Sequence, residues 1–407
     1  MKKIMYGLML GLFIFLTSNQ LEAMNVSIRV ESNEKTLIEK TKVDVSPIDI
    51  SNIVGGNSSD YTKHPVVLHA LVKVLQDKGY DLSDKNILDC GFTGSYLSTI
   101  LNNSRSKNGT YADEWMFTIN NKYPVDVNTG YGYAINAAPL HENDSIVLFL
   151  TYDYISQFYS YFDKEELTVF DDEMINLTNY KLAIFDKNWN MGTDISPASD
   201  ALVILEKKKS DGTYNVLDES NYGPGTLITS PNDGYVSNIK GEFSFIVNQP
   251  GEYNVTSRID TAGYADEYDP MINELSRAHL KLIVKSRALD NAIKDASKYQ
   301  ESKYTNASYQ NLSNSIDKAK AIFNNPYASD EEIKKSIDDL KINISNLQGK
   351  QVINNTNIVT NSPIKNIQVK KSNTKLVSNM PDTGSNSLVI VILFLSLGTS
   401  LLMTKRI

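Results

Sequence analysis

Two apolar runs stand near opposite ends of the chain, and neither suits a folded middle. Ile4–Leu16 follows Lys2 and Lys3 and leads to a small-residue site at Ala23. Leu388–Met403 follows Met380-Pro381-Asp382-Thr383-Gly384 and is closed by Lys405-Arg406. Sixteen mostly apolar residues are near the lower limit for crossing a bilayer, which usually takes about 20. The two terminal cations fit the cytoplasmic end of such a span. The first run has the order of a secretory signal peptide, with cleavage expected after Ala23. The fold must therefore be built from what lies between.

The C-terminal arrangement resembles the LPxTG sorting signal of Gram-positive surface proteins, with Met380 in the leucine position. The resemblance implies a sortase as partner: its cysteine attacks the carbonyl of Thr383, and a peptidoglycan amine resolves the acyl-enzyme. Pro381 fixes one backbone dihedral and gives the pentapeptide a bent, low-entropy shape. Gly384 puts no side chain beside the scissile carbonyl. Thr383 is thus the expected point of covalent wall attachment, on a protein expected outside the cell, at the cell wall surface.

Charge agrees with that placement. The chain carries 40 Lys and Arg against 48 Asp and Glu, a net −8, so nothing pulls it toward nucleic acid. Cys90 is the single cysteine, so no intramolecular disulfide forms, and no Cys/His spacing suggests zinc. Hydrophobic cores have to supply the stability, and the length suffices for two or three domains. A multidomain chain is expected.

Residues 24–60 are polar and irregular, with a hinge at Gly55-Gly56-Asn57-Ser58-Ser59, and read as a leader with at most one edge strand at Val26–Val30. From residue 61 the pattern tightens. Val67, Leu68, Leu71, Val74 and Leu75 recur at helical spacing, and Gly79 suits the helix end. Alternating segments follow at Ser95–Ile100, Glu114–Ile119 and Ser145–Tyr154, with Asn120-Asn121 as a turn. One helix followed by several strands makes residues 61–162 a small α+β domain.

Within it, the helix His64–Lys78, Gly94–Ile100, Trp115–Asn121 and Leu140–Ile146 carry a resemblance to the transcobalamin-like C-terminal domain. Asn121 and Asn143 stand where that family usually has glycine. The resemblance implies a β-grasp-like fold. In transcobalamin this domain closes over cobalamin together with an α/α-barrel, which this chain lacks, so capture of cobalamin would need a separate partner.

Residues 163–285 read as all-β. Period-two alternation runs through Ala201–Glu206, Gly241–Val247 and Glu252–Arg258, punctuated by Asp211-Gly212, Pro231–Gly234 and Pro250-Gly251. Gly251-Glu252-Tyr253-Asn254-Val255 resembles a late strand of bacterial immunoglobulin-like domains, and an immunoglobulin-like β-sandwich is expected. Residues 286–348 carry three apolar stripes at helical spacing, with a capping box at Ser329 and Glu332. A three-helix bundle is expected, and from Lys303 onward the segment resembles the FIVAR module, a helical spacer of Gram-positive surface proteins. Residues 349–379 are polar, lack periodicity and are expected to be a disordered wall spacer, reaching on the order of 100 Å when extended.

No set of nucleophile, base and orienting groups assembles in the sequence, so the chain is read as a substrate of sortase rather than an enzyme, with no cofactor and no metal site. His64, His69, His141 and His279 are scattered; His69 reads as a surface or capping residue and Cys90 as a buried thiol. The acidic run Asp266–Asp269 lacks EF-hand spacing and reads as a solvated loop. The candidate ligand-binding residues are Trp115, Tyr123, Tyr131 and Tyr133. Tyr131 and Tyr133 flank Gly132, which on a strand would point both rings to one face. The aromatic segment 151–162 either stacks on ligand or buries a junction between domains. An adhesin binding host protein, glycan or small molecule is the first expectation, and a structural or biofilm wall protein with no discrete ligand the second.

Overall fold

A computed structural model describes residues 23–104, 114–151, 157–216, 237–259 and 275–350. The signal peptide, most of the spacer, the sorting signal with its apolar run, and the acidic run 266–269 lie outside them. The described residues are mixed α/β, mostly sheet with a few helices, and none of those helices is long and apolar enough to cross a membrane.

The first sheet corrects the reading of residues 24–60. They are no irregular leader: β1 (Met24–Glu31) and β2 (Thr36–Val45) form an antiparallel pair, followed by two single-turn helices, α1 (Ser51–Val54) and α2 (Ser58–Tyr61). Nor is β1 at an edge. It lies between β2 and β7 (Ser145–Leu150), parallel to the latter, and β6 (Trp115–Ile119) completes the order β2-β1-β7-β6. The short strands β3 (Leu88–Asp89), β4 (Thr99–Ile100) and β5 (Asn103–Ser104) make a separate small sheet. Val26, Ile28 and Val30 face α3 (Val67–Asp77), whose Leu68, Leu71, Val74 and Leu75 are fully buried against them. Each such side chain contributes roughly 1.5–3 kcal/mol by leaving water.

Local chemistry follows the sequence closely here. Gly79, just past α3, is left-handed at φ 79°, and Asn120 and Asn121 turn β6 toward Lys122 with φ 53° and 59°. Asn143 is left-handed too, at φ 67°. Short polar side chains tolerate that region because they bond locally to the backbone.

The second half has two sheets facing each other across one core. In the first, β10 (Ile175–Ala183) pairs with β8 (Phe158–Phe162), β11 (Ile195–Pro197) and β14 (Glu242–Phe245). The other runs β13-β12-β15-β16-β9, with β9 (Glu166–Phe170), β12 (Leu202–Lys208), β13 (Tyr214–Val216), β15 (Gly251–Arg258) and β16 (Leu280–Lys285). Ile175, Leu177, Phe243 and Phe245 meet Val203, Leu205, Val255, Leu280 and Leu282 between them. Phe158–Phe162, which the sequence places before the boundary at 162/163, hydrogen-bonds to a strand beyond it.

Three helices follow: α4 (Arg287–Ala296), α5 (Asn306–Phe323) and α6 (Asp330–Ser345). They share a core of Leu289, Ile293, Ala296, Leu312, Ala319 and Leu340. The Ser329 hydroxyl accepts from the Glu332 amide at 3.2 Å while the Glu332 carboxylate accepts from the Ser329 amide at 2.8 Å, closing the capping box.

The first sheet has a second buried face. Tyr123, Val147 and Phe149 on that side pack against Tyr159, Leu182 and Ile184 of the sandwich. The Tyr159 ring lies 5.2 Å from Phe149, so this part of the aromatic segment buries a junction. Beside it is a buried charge cluster. Glu31 of β1 lies 3.4 Å from Arg29, 3.5 Å from Arg277 and 3.7 Å from His279. Arg277 also donates to Glu206 at 2.7 Å and to the Glu34 carbonyl at 3.0 Å. Burial raises the pKa of Glu31, against the pull of both arginines. It also holds His279 well below the usual imidazole range, with Arg29 and Arg277 adding to the effect. Ionised Glu31 would favour an imidazolium at His279, but the two guanidinium groups already occupy that carboxylate and outweigh it.

Candidate functional site

Trp115 and Tyr133 come together at a cleft of about 480 Å³. Trp115 and Phe117 alternate on β6 and share a face; Trp115 is 7% exposed and its indole N–H donates to the Asn103 carbonyl at 3.3 Å. Ile135 and Leu148 lie beneath, and half-buried Tyr133 stands beside them. At one end the Tyr96 hydroxyl donates to both oxygens of Glu114, at 2.9 and 3.0 Å. Glu114 is the single charged residue among the described lining residues.

The opposite wall comes from the sandwich. Phe185 and Met191 bridge each other at the base of a hairpin between β10 and β11, and both line the cleft. Met191 lies over Gly132 so closely that a Cβ there would come within 2.9 Å of its sulfur. The missing side chain at Gly132 leaves room for the flexible Met191 thioether to lie against the turn. A cleft with aromatic and thioether walls and one carboxylate can hold a ring or an apolar stem by stacking and burial.

Two of the four expected ligand residues are elsewhere. Tyr123 is 6% exposed and faces the junction, its ring 6.4 Å edge-on from Tyr159. Tyr131 and Tyr133 do not share a sheet face, because residue 131 closes a turn rather than a strand. The Asp126 amide donates to the Tyr131 carbonyl at 2.9 Å and the Gly130 amide to the Asp126 carbonyl at 2.7 Å, with Gly130 at φ 75°. Tyr131 ends up 75% exposed on that turn.

The remaining chemical candidates are structural. His69 is buried, accepts from the Val66 amide through Nδ1 at 3.0 Å, and meets the Ile48 carbonyl through Nε2 at 2.9 Å. That pattern assigns the neutral Nε2–H tautomer, and burial lowers its pKa. It caps α3, but from the interior rather than the surface. Burial pushes the Cys90 thiol up to about 12, which makes it a poor nucleophile. Among the described residues no cluster of His, Cys, Asp and Glu could hold a metal ion. A larger cleft, about 850 Å³, lies between 51–60 and 85–95; it contains none of the expected ligand residues and a single ring, Phe92.

One aromatic residue at the site escaped sequence reasoning. Trp189, on the Phe185–Met191 hairpin, is 65% exposed, and its ring lies 6.0 Å from Phe185. The signal was available: the chain has two tryptophans, and this one sits in the polar turn Asp186-Lys187-Asn188-Trp189-Asn190.

No family model matches this chain, and no curated protein matches it. Among solved structures it is similar to one described as CBM51-2 in complex with GlcNAc and INT domains from Clostridium perfringens ZmpB. The identity is 12% and the TM-score 0.18, over 59% of this chain and 53% of that one, so the match spans about half of each. A likeness that low carries no argument about fold or activity.

Proposed function

We propose that the chain is a secreted surface protein, joined to peptidoglycan by sortase through Thr383, that presents the cleft between its first sheet and its sandwich to a ligand. The observation that carries the ligand half is the convergence of Trp115, Phe117, Tyr133, Phe185 and Met191, from two modules, around one cleft. The attachment half rests on the order of pentapeptide, apolar run and basic tail at Met380–Arg406. In this reading the first module is transcobalamin-like; a mixed sheet crossed by one long helix supports it. The paired sheets support an immunoglobulin-like second module, and the three helices a FIVAR-like spacer that raises both from the wall.

The attachment is tested by extraction. Boiling intact walls in detergent should leave the protein bound, and Thr383→Ala should release it to the medium or the membrane fraction. Release of the unaltered chain by detergent alone would remove covalent attachment from the proposal. For the ligand, Tyr133→Ala should weaken binding to whatever a glycan and host-protein array identifies, by about tenfold. Unchanged binding would move the site elsewhere.

A further inference from the structure

We infer that the cleft takes an extended peptide, which pairs with the free edge of β6 and joins the first sheet as a fifth strand. This rests on the cleft being the ligand site and adds the class of molecule it takes.

The free edge follows from the register. Along an antiparallel pair, residues that bond to the partner alternate with residues whose amides and carbonyls turn away from it. The Thr151 amide donates to the Glu114 carbonyl at 2.9 Å, and the Asn120 amide to the Ser145 carbonyl at 2.8 Å. Met116 and Thr118 therefore bond to β7, while Trp115, Phe117 and Ile119 face the other way. Ile119 is satisfied there, because it and Lys122 exchange amide-to-carbonyl bonds of 2.9 and 3.1 Å across the Asn120-Asn121 turn. Continuing that register would set residue 124 against Phe117. Residue 124 is proline, which has no amide to donate, and its carbonyl accepts from the Tyr133 amide at 3.0 Å. The pairing ends at one bridge. Among the described residues, the backbone amides and carbonyls of Trp115 and Phe117 have no hydrogen-bond partner.

The cleft runs along this edge rather than over a face of the sheet. Trp115, Met116 and Phe117 all line it, although consecutive strand residues point to opposite faces. Its far side is another consecutive run, Gly132 to Ile135. Trp115 and Phe117 pack with the core that holds α3, and Met116 and Met191 with the cluster at the junction. Apolar surface thus borders the slot on both sides of the sheet. A peptide with three successive apolar residues suits it: the outer two lie opposite Trp115 and Phe117, and the middle one opposite Met116, on the side of Met191.

The edge itself is unguarded. Edge strands are ordinarily blunted by lysine, an inward charge or a bulge. Trp115–Ile119 has no charged residue, and its pairing with β7 has no shift in register. In strand addition the main chain supplies affinity and the alternate side-chain pockets supply selectivity. Trp115 and Phe117 offer the first, and the two apolar sides of the cleft the second.

The peptide itself makes the test direct. Acetyl-Lys-Thr-X-X-X-Thr-Lys-amides, with X drawn from Val, Ile, Leu, Phe and Tyr, are titrated into residues 24–383 by calorimetry. At least one is expected to bind saturably. N-methylation of one alternate set of its amides should weaken binding at least tenfold, and N-methylation of the other set should be tolerated, since only one set faces β6. The change is made on the peptide, so folding of the protein does not enter. Labelling tryptophan with nitrogen-15 reports two backbone amides. That of Trp189 donates to the Asp186 carbonyl at 3.0 Å and should exchange slowly throughout. That of Trp115 should exchange fast in the free chain and slowly once peptide is bound. The proposal is overturned by no binding of any probe, by equal effects of the two N-methylation patterns, or by a Trp115 amide already protected in the free chain. Binding that leaves the Trp115 amide unchanged would put the strand on another edge and overturn it as well. A glycan that shifts the Trp115 signal where no peptide does would keep the cleft and discard the peptide.

Discussion

Gly192 shows how much one missing side chain can carry. A Cβ there would stand 1.8 Å from the Ala183 carbonyl oxygen and 2.8 Å from its carbon, both backbone atoms that cannot rotate away. In an open site, Gly→Ala stabilises by about 0.4–1 kcal/mol through the unfolded chain. Here the hairpin must shift instead, and Gly192→Ala should cost about 1–3 kcal/mol, the range for forced overpacking. Urea denaturation of residues 24–383 measures it; a neutral or stabilising result would mean that the strands at Ala183 part easily. Since the same hairpin carries Phe185, Trp189 and Met191, a shift there would also open the cleft. The sequence contains Gly192 but not the carbonyl beneath it, and close approach is invisible to periodicity. Tyr131 and Tyr133 failed for a related reason: alternation around Gly132 has strand meaning only if the backbone is extended, and Asp126 turns it first.

At the scale of elements, α3 and the sandwich strands were legible because apolar residues recur at helical or alternating spacing along them, even in β15, whose intervening polar residues are buried as well. β1 was not. Ser27, Arg29 and Glu31 alternate with Val26, Ile28 and Val30 as in an exposed edge strand, yet all six are buried. The polar face is covered by residues some 250 positions later, Arg277 and His279, whose charge pairing no local window reveals. That placement also gives a pH dependence. His279 and His69 have folded pKa values below the ordinary 6.5. The unfolded chain therefore gains protons that the fold refuses as pH drops below about 6.5, and stability falls by up to ~1.4 kcal/mol per unit for each. Glu31 is shifted the other way, so its contribution is fully present below the ordinary 4.5 and is lost as pH rises through its raised value. The two trends oppose each other where their windows overlap. His279→Gln should therefore leave a chain that loses less stability than the parent between pH 7 and 5.5, the residual loss belonging to His69. Denaturation midpoints at those two pH values decide it. Equal losses in parent and variant would show that His279 takes up its proton in the fold.

For the whole molecule, the junctions differ in kind, and that difference predicts how the chain comes apart. The first sheet meets the sandwich through the buried cluster around Tyr159 and through Glu31, Arg277 and Glu206. Removing either side would leave unpaired buried charge, a penalty of several kcal/mol. The helices meet the sandwich differently. Arg287, about a third exposed, pairs with Asp172 and Glu173 and stacks 3.7 Å over the Phe170 ring, while Lys285 lies 4.5 Å over Phe323. Exposed pairs of this sort contribute about 0–1 kcal/mol each, and cation–π contacts at exposed sites about 0.5–1 kcal/mol. The first sheet and the sandwich should thus unfold as one cooperative block and the helices independently. Hydrogen exchange tests this directly: amides of β1 and β15 should open with the same free energy, and those of α5 and α6 with a different one. If β1 opened well below β15, the junction would be a hinge rather than a weld, and a ligand in the cleft would have to close it. If the free energies match, the two walls are preset and binding should proceed without domain rearrangement.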